Sequence, residues 1–410
     1  MDAKPGPSSL AAKEVRPRLH IPSAYVPGYD AARRVDPESA DTYIRYTTIG
    51  DPVADAVVAH LAETVPPGKV HEVIAKALDR YPARPVDLPR SLLNLIDEAR
   101  IVPDWYDPDL ALKASKAFLR NSDVVIVALV AGAIVEGFST TISKPFRIRG
   151  RIIENGVRRL KQNLLQLTEQ FLPGGLEPGG DGWRLSLRIR LVHAQARALI
   201  QGSPEWNGPR EGLPISTAHV LLGAAAFSGR LMEHAAKLGG DFTDEEREAY
   251  THVWRYTGLT MGIPESLLFT DYASSLLTFR IATMCEPPPD DDGIIMANSI
   301  INSAPILIGV TGHAARRYKA AQLYQVSREL IGDELAEAFK YPAPTRFRRL
   351  PWVRLMRTAK SNTAWGILPA LQARRSRRRF HDLLEVSNLS THKLSYKLPS
   401  SLYEEDSHDW

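Results

Sequence analysis

One cysteine, Cys285, is all that a chain of 410 residues contains. A single thiol excludes an internal disulfide framework and any cysteine-rich zinc site. Long apolar runs are also scarce. The longest, Val124 to Val135, stops at Glu136 and is too short to span a bilayer. It reads as a buried core helix opened by Ser122 or Asp123. The first residues carry no apolar stretch of the kind a secretory signal needs and no twin arginine, which predicts a cytoplasmic protein, soluble or peripherally attached to a membrane. Strand-like alternation is almost absent. Also missing are a P-loop, an HExxH helix, a GxSxG elbow and a strand-linked GxGxxG. The glycines from Gly174 to Gly182 follow a helical pattern rather than a strand, so they read as a loop.

What is present describes an ordinary globular protein, with 44 % apolar and 24 % charged residues. The length allows two or three domains, or one helical domain with extensions. The fold class expected is all-α. Residues 1–45 read as an irregular arm, 46–115 as an N-terminal helical region, 116–320 as a core and 321–410 as a C-terminal helical extension. Val53, Ala54, Val57, Val58 and Leu61 recur with a helical period. Helices are predicted from about Pro108 to Arg120, from roughly Arg149 to Leu172, from about Trp183 to Gln201, and from Thr217 to Leu238. Thr243 and Glu246 form a capping box for a further one reaching Met261.

Charge is unevenly spread. The formal net charge is +4, yet eleven basic residues and no acid lie between Pro344 and Phe380, so the rest of the chain carries −7. Arg346, Arg348, Arg349, Arg354 and Arg357 are interleaved with Trp352, Val353, Leu355 and Met356. Arginines mixed with tryptophans fit the interface of an anionic membrane, so peripheral contact through 344–380 is expected. The competing reading is a basic extension folded onto the acidic body. That acidic body argues against nucleic acid as a partner.

One histidine of eleven is set apart. His193 lies mid-helix among small and apolar neighbours, with Arg190 and Arg197 about one turn to either side, so all three fall near one helix face. An imidazole so placed can approach a metal or a haem iron, with the arginines pairing haem propionates. The plainer reading is a core histidine bonded to a carbonyl. On the preceding helix Arg159, Gln162, Asn163 and Gln166 fall together. They are either a solvated face or the lining of a pocket opposite His193. Glu248 and His252, at i and i+4, lack the further carboxylates of a di-iron bundle.

Several stretches, taken in order, resemble a family. They are Gly50-Asp51-Pro52-Val53-Ala54-Asp55, Pro103-Asp104-Trp105-Tyr106-Asp107, Gly150-Arg151 with Arg158-Arg159-Leu160, Pro173-Gly174-Gly175, the block from Arg188 to Arg197, and Trp254-Arg255-Tyr256-Thr257-Gly258 running into Gly262-Ile263-Pro264-Glu265. Over roughly Tyr46 to Tyr318 the chain resembles the haem-b oxygenases that include latex clearing protein and the fungal endoplasmic-reticulum oxygenases of meroterpenoid biosynthesis. The resemblance implies a globin-like helical core around haem b, within 116–320. It implies His193 as the proximal iron ligand, Arg197 beside the cofactor and Arg159 near the distal pocket. Arg190, on the helix face of His193, is expected to join Arg197 in holding the cofactor, and Gln162 and Asn163 to join Arg159 as catalytic residues that orient dioxygen. The implied activity is that of a haem-dependent oxygenase using dioxygen on a small hydrophobic substrate, prenylated or terpenoid compounds included.

The chain departs from the family where an acidic residue or lysine followed by threonine is usual. Here stand Gln162 and Asn163, which hydrogen-bond but do not take up a proton. Glu136, Glu154 and His219 are the candidates to replace a missing base. Cleavage of polyisoprene is not expected of a chain without an export signal. The alternative function is a non-catalytic haem- or lipid-binding helical protein derived from such enzymes.

Overall fold

Aspartate followed by proline starts three of the helices. Asp36, Asp51 and Asp107 each accept a hydrogen bond from a backbone N–H of the next turn, and the proline after each occupies the first helical position. The computed structural model describes residues 19–79, 81–82, 88–148, 156–345, 350–351 and 354, and every regular element among them is helical. Glu154 and nearly all of the cationic segment 344–380 lie outside the described residues.

The first two helices, α1 (Val26–Val35) and α2 (Pro37–Tyr46), correct the sequence reading of 1–45 as an irregular arm. Pro27 sits in the first turn of α1, where its missing N–H is unused. Gly28 is there because a Cβ would fall 2.3 Å from the carbonyl oxygen of Met284. Both residues mark a close approach rather than a loop.

Three helices, α3 (Pro52–Thr64), α4 (Val70–Asp79) and α5 (Arg90–Ala99), form a small apolar cluster of their own with Trp183, Leu187, Leu191 and Ala194. Next comes α6 (Pro108–Ala128), which corrects the expected helix start at Ser122 or Asp123. Ser122 lies inside the helix and donates its hydroxyl to the carbonyl of Leu119. A π-turn at Leu129–Ala133 links α6 to α7 (Ile134–Gly137). The span Pro108–Gly137 is long and apolar enough to cross a membrane, but 72 % of its most apolar window is buried inside the fold, which makes it a core helix.

After α8 (Lys144–Ile148) come α9 (Gly156–Phe171) and α10 (Asp181–Gln201). Helix α10 packs on α3 with one face and on α9 and α14 (Asp244–Thr260) with the others, so it separates the small cluster from the main core. A short turn, α11 (Gly208–Glu211), precedes α12 (Thr217–Ala225) and α13 (Leu231–Lys237). The sequence reading made the last two one helix. A second π-turn, Ala226–Arg230, separates them, with Ser228 outside helical geometry. The two π-turns touch. π-turns recur at functional sites because they re-aim the side chains beside them.

The capping box of Thr243 and Glu246 opens α14 as expected. The chain ends, among described residues, with α15 (Tyr272–Cys285), α16 (Asp291–Leu307), α17 (His313–Ile331) and α18 (Asp333–Ala338).

Candidate functional site

Helices α7, α8, α9, α10, α12 and α14 surround a cavity of about 290 Å³. Its wall is mostly apolar, with Phe138, Phe146, Val220, Phe227 and Trp254 prominent. Most of its polar groups come from two helices, with His219 of α12 besides. Arg159, Gln162, Asn163 and Gln166 enter from α9, and His193 enters from α10. Two glycines keep the wall open, since a Cβ on Gly137 or Gly223 would meet nothing within 4 Å.

His193 has no hydrogen-bond partner for its buried Nδ1 among the described residues. Burial, and then the neighbouring Arg197 charge, push its pKa down to about 4 against a weaker pull from Asp51. The imidazole is therefore neutral at ordinary pH. The two arginines that share its helix face are held by carboxylates of the α3 region. Arg190 grips Asp51 through Nε at 2.5 Å and an Nη at 3.0 Å. Arg197 grips Asp55 through Nε at 3.0 Å and Nη at 2.8 Å, and gives its other Nη to the carbonyl of Ile215. The corner after α14 completes the arrangement. Gly262 has φ +90°, and a Cβ there would fall 2.2 Å from Asp51 Oδ2 and 2.6 Å from Arg190 Nε. Only glycine takes that backbone conformation without strain while passing so close to the ion pair.

On α9, the Arg159 guanidinium stacks 3.5 Å above the Phe146 ring. Asn163 donates its amide to the Arg159 carbonyl one turn back. Gln166 Nε2 reaches only the thioether of Met261, at 3.6 Å, a weak acceptor.

The two candidate bases among the described residues, Glu136 and His219, are both bonded to other groups. Glu136 is buried outside the cavity lining, bonded to Arg230 and to His234 Nε2 at 2.8 Å. Burial alone would raise its pKa, but His234 and Arg230 outweigh it and hold the carboxyl at about 2. His219 does line the cavity, yet both ring nitrogens are engaged. The backbone N–H of Ser216 donates to Nδ1 at 3.2 Å, and Nε2 lies 3.0 Å from the Tyr25 hydroxyl and 3.4 Å from Glu286. The Cys285 thiol is buried and its pKa is pushed up to about 12, by burial first and then by Glu286, which disfavours the reactive thiolate.

The structure thus places Arg159, Gln162, Asn163 and His193 on one cavity, with Arg190 and Arg197 beside His193 and paired with Asp51 and Asp55. Residues the sequence reading missed are Phe227, Met261 and the two aspartates as arginine acceptors. The aspartates had a visible signal, two acids one turn apart at the start of α3.

Among the described residues no three His, Cys, Asp or Glu side chains gather as a metal-ligand set. A lone neutral imidazole with an unpartnered nitrogen suits a metal that brings its own in-plane ligands, as haem iron does. The open glycine wall and mostly apolar lining suit the face of a porphyrin. The residues present fit haem b.

Residues 117–361 match the family model described as ER-bound oxygenase mpaB/B'/rubber oxygenase, catalytic domain. A rubber oxygenase of Streptomyces sp. (strain K30) is 25 % identical over 253 residues, which are 60 % of this chain and 58 % of that protein. The chain therefore aligns with less than two thirds of that relative's length. The structure of latex clearing protein LCP in the closed state superposes with a TM-score of 0.63 at 18 % identity, over 84 % of this chain and 91 % of that one, a likeness of fold.

Proposed function

The chain belongs to the family of ER-bound mpaB/B' and rubber oxygenase catalytic domains, and on that premise we propose that it is a haem-b-dependent oxygenase acting with dioxygen on a small hydrophobic molecule. The observation that carries the proposal is His193, neutral and unpartnered at Nδ1, on the wall of a largely apolar cavity. In this reading His193 is the iron ligand, and haem b supplies the centre at which dioxygen is activated. Every other task falls to the chain's own side chains.

Arg190 and Arg197 act as positioning residues. Their ion pairs fix α10 against α3, and the Arg197 charge opposes the pull of Asp51 toward a protonated imidazole. Arg159, Gln162 and Asn163 orient dioxygen and substrate by hydrogen bonding. The apolar wall binds the substrate and excludes water, which suits an alkene-bearing compound such as a terpenoid. Among the described lining residues there is no carboxylate, so the proton-taking step of a base-assisted cleavage has no obvious acceptor. That observation favours a second reading, a haem- or lipid-binding protein without turnover. Contact of segment 344–380 with an anionic membrane, on the cytoplasmic side, would bring the enzyme to substrates dissolved in lipid.

The test is an absorption spectrum of the purified protein followed by oxygen uptake. Wild type reconstituted with haem should show a Soret band, and His193→Ala should lose most of it. A protein that stays colourless after reconstitution ends the haem reading. Oxygen consumption with a panel of terpenoid alkenes separates the two readings, because a binder shows the band without consumption.

A further inference from the structure

The turn joining α16 to α17 combines exposed apolar and cationic side chains. Ile306 is 44 % exposed, Ile308 63 % and Tyr318 62 %. Single exposed apolar residues are ordinary and need no explanation. Here three occur with Arg316, Arg317 and Lys319, all exposed and in no ion pair among the described residues. From Gly293 to Arg328 the chain contains no Asp or Glu, so nothing along it offsets these cations. Arg316 Nε donates to the Val310 carbonyl at 2.8 Å, which ties the start of α17 to the turn. The result is a tip with one sign of charge around an apolar point.

We propose that this tip docks the protein onto an anionic lipid bilayer. Ile306 and Ile308 would enter the boundary between headgroups and chains, Tyr318 would sit at headgroup level, and the three cations would meet lipid phosphates and carboxylates. A second copy of the chain would bring the same cations and be repelled, whereas a uniformly anionic surface complements them. The position of the tip gives the contact a use. Ser303, one turn before Ile306, packs so closely on Gly156 that a Cβ there would fall 2.1 Å from its Oγ. Gly156 begins α9, whose Arg158 and Arg159 line the cavity. A molecule dissolved in the bilayer would therefore meet the protein near the start of α9, the helix that carries Arg158 and Arg159 into the cavity wall. The docking surface itself depends neither on haem nor on segment 344–380.

The experiment is co-sedimentation of the full chain with phosphatidylcholine vesicles, with and without phosphatidylserine. Wild type should bind only the anionic vesicles. A cation near such a surface contributes about fivefold in affinity, so Arg316→Gln/Arg317→Gln/Lys319→Gln should weaken binding by roughly a hundredfold. Ile306→Ser/Ile308→Ser/Tyr318→Ser should weaken it by at least roughly tenfold. All six residues are exposed, so melting temperatures should stay within a few degrees of wild type and exclude misfolding as the cause. The proposal fails if wild type ignores phosphatidylserine. It fails equally if both variants bind as wild type does, or if the apolar variant only breaks up an oligomer.

Discussion

Two histidines inside this fold are treated in opposite ways. His234 is fully buried, and its Nε2 lies 2.8 Å from Glu136, whose carboxylate also takes two bonds from Arg230. The π-turn at Leu129–Ala133 makes this possible, because Gly132 has no side chain where the His234 ring packs, 2.6 Å from a Cβ position. His193 also has carboxylates nearby, but Asp51 and Asp55 are already held by Arg190 and Arg197. Its Nδ1 is left without a partner. A free carboxylate beside an imidazole favours the charged ring, which has no lone pair for a metal. Leaving a histidine available to a ligand therefore requires that nearby acids be occupied. Arginine suits that task, since its planar fork binds a carboxylate bidentately and does not give up its proton.

The comparison predicts that removing the acid in each place has different consequences. Glu136→Ala should be the most damaging change, because it removes the buried carboxylate that both His234 and Arg230 bond, leaving Arg230 only its half-exposed partner Glu233. Loss of one partner from a buried charge cluster costs about 3–5 kcal/mol, to be read from the urea midpoint of the haem-free protein. Asp51→Asn should cost less, about 2 kcal/mol, since the amide still accepts one bond from Arg190. Its larger effect should fall on haem affinity, because α10 loses an anchor. If Asp51→Asn destabilised the apoprotein as much as Glu136→Ala, both clusters would be structural and the contrast would be lost. His193→Ala should change the stability of the apoprotein by only about 1 kcal/mol, since no Nδ1 hydrogen bond is lost.

Features fixed over a few residues were legible in the sequence. The Thr243–Glu246 capping box and the helical periods depend on neighbours within one turn, and they appear where local chemistry puts them. The grouping of Arg159, Gln162, Asn163 and Gln166 on one face follows from helix geometry alone, and all four line one cavity. What the sequence hid depends on distant partners. The acids that Arg190 and Arg197 hold, Asp51 and Asp55, stand some 140 residues earlier in the chain, and the fold brings them together. Glu136 and His219 look equally available as bases until Arg230, His234, Tyr25 and Glu286 are seen to occupy them. The π-turns escaped notice because they insert one residue without altering composition. The helices of 26–46 escaped because Pro27 and Gly28 imitate a break.

The smallest effect at neutral pH should grow on acidification, and it tests His193 directly. In the folded haem-free protein its pKa is pushed down to about 4 from an ordinary 6.5. Between those values the unfolded chain binds a proton there and the folded chain does not, so stability rises with pH across the window. Read downward, stability from this site is complete above pH 6.5 and is lost as the pH falls toward 4. His252, also shifted down chiefly by burial, contributes in the same direction. Wild type and His193→Ala share that contribution, so the difference between their stability curves isolates His193. Urea unfolding of the two apoproteins at steps from pH 7.5 to 4 should give curves that are level with each other above 6.5 and change their separation below it, wild type losing more. Parallel curves throughout would mean that His193 is protonated as easily in the fold as in water, and the idea that burial and the neighbouring Arg197 charge keep it neutral would be wrong.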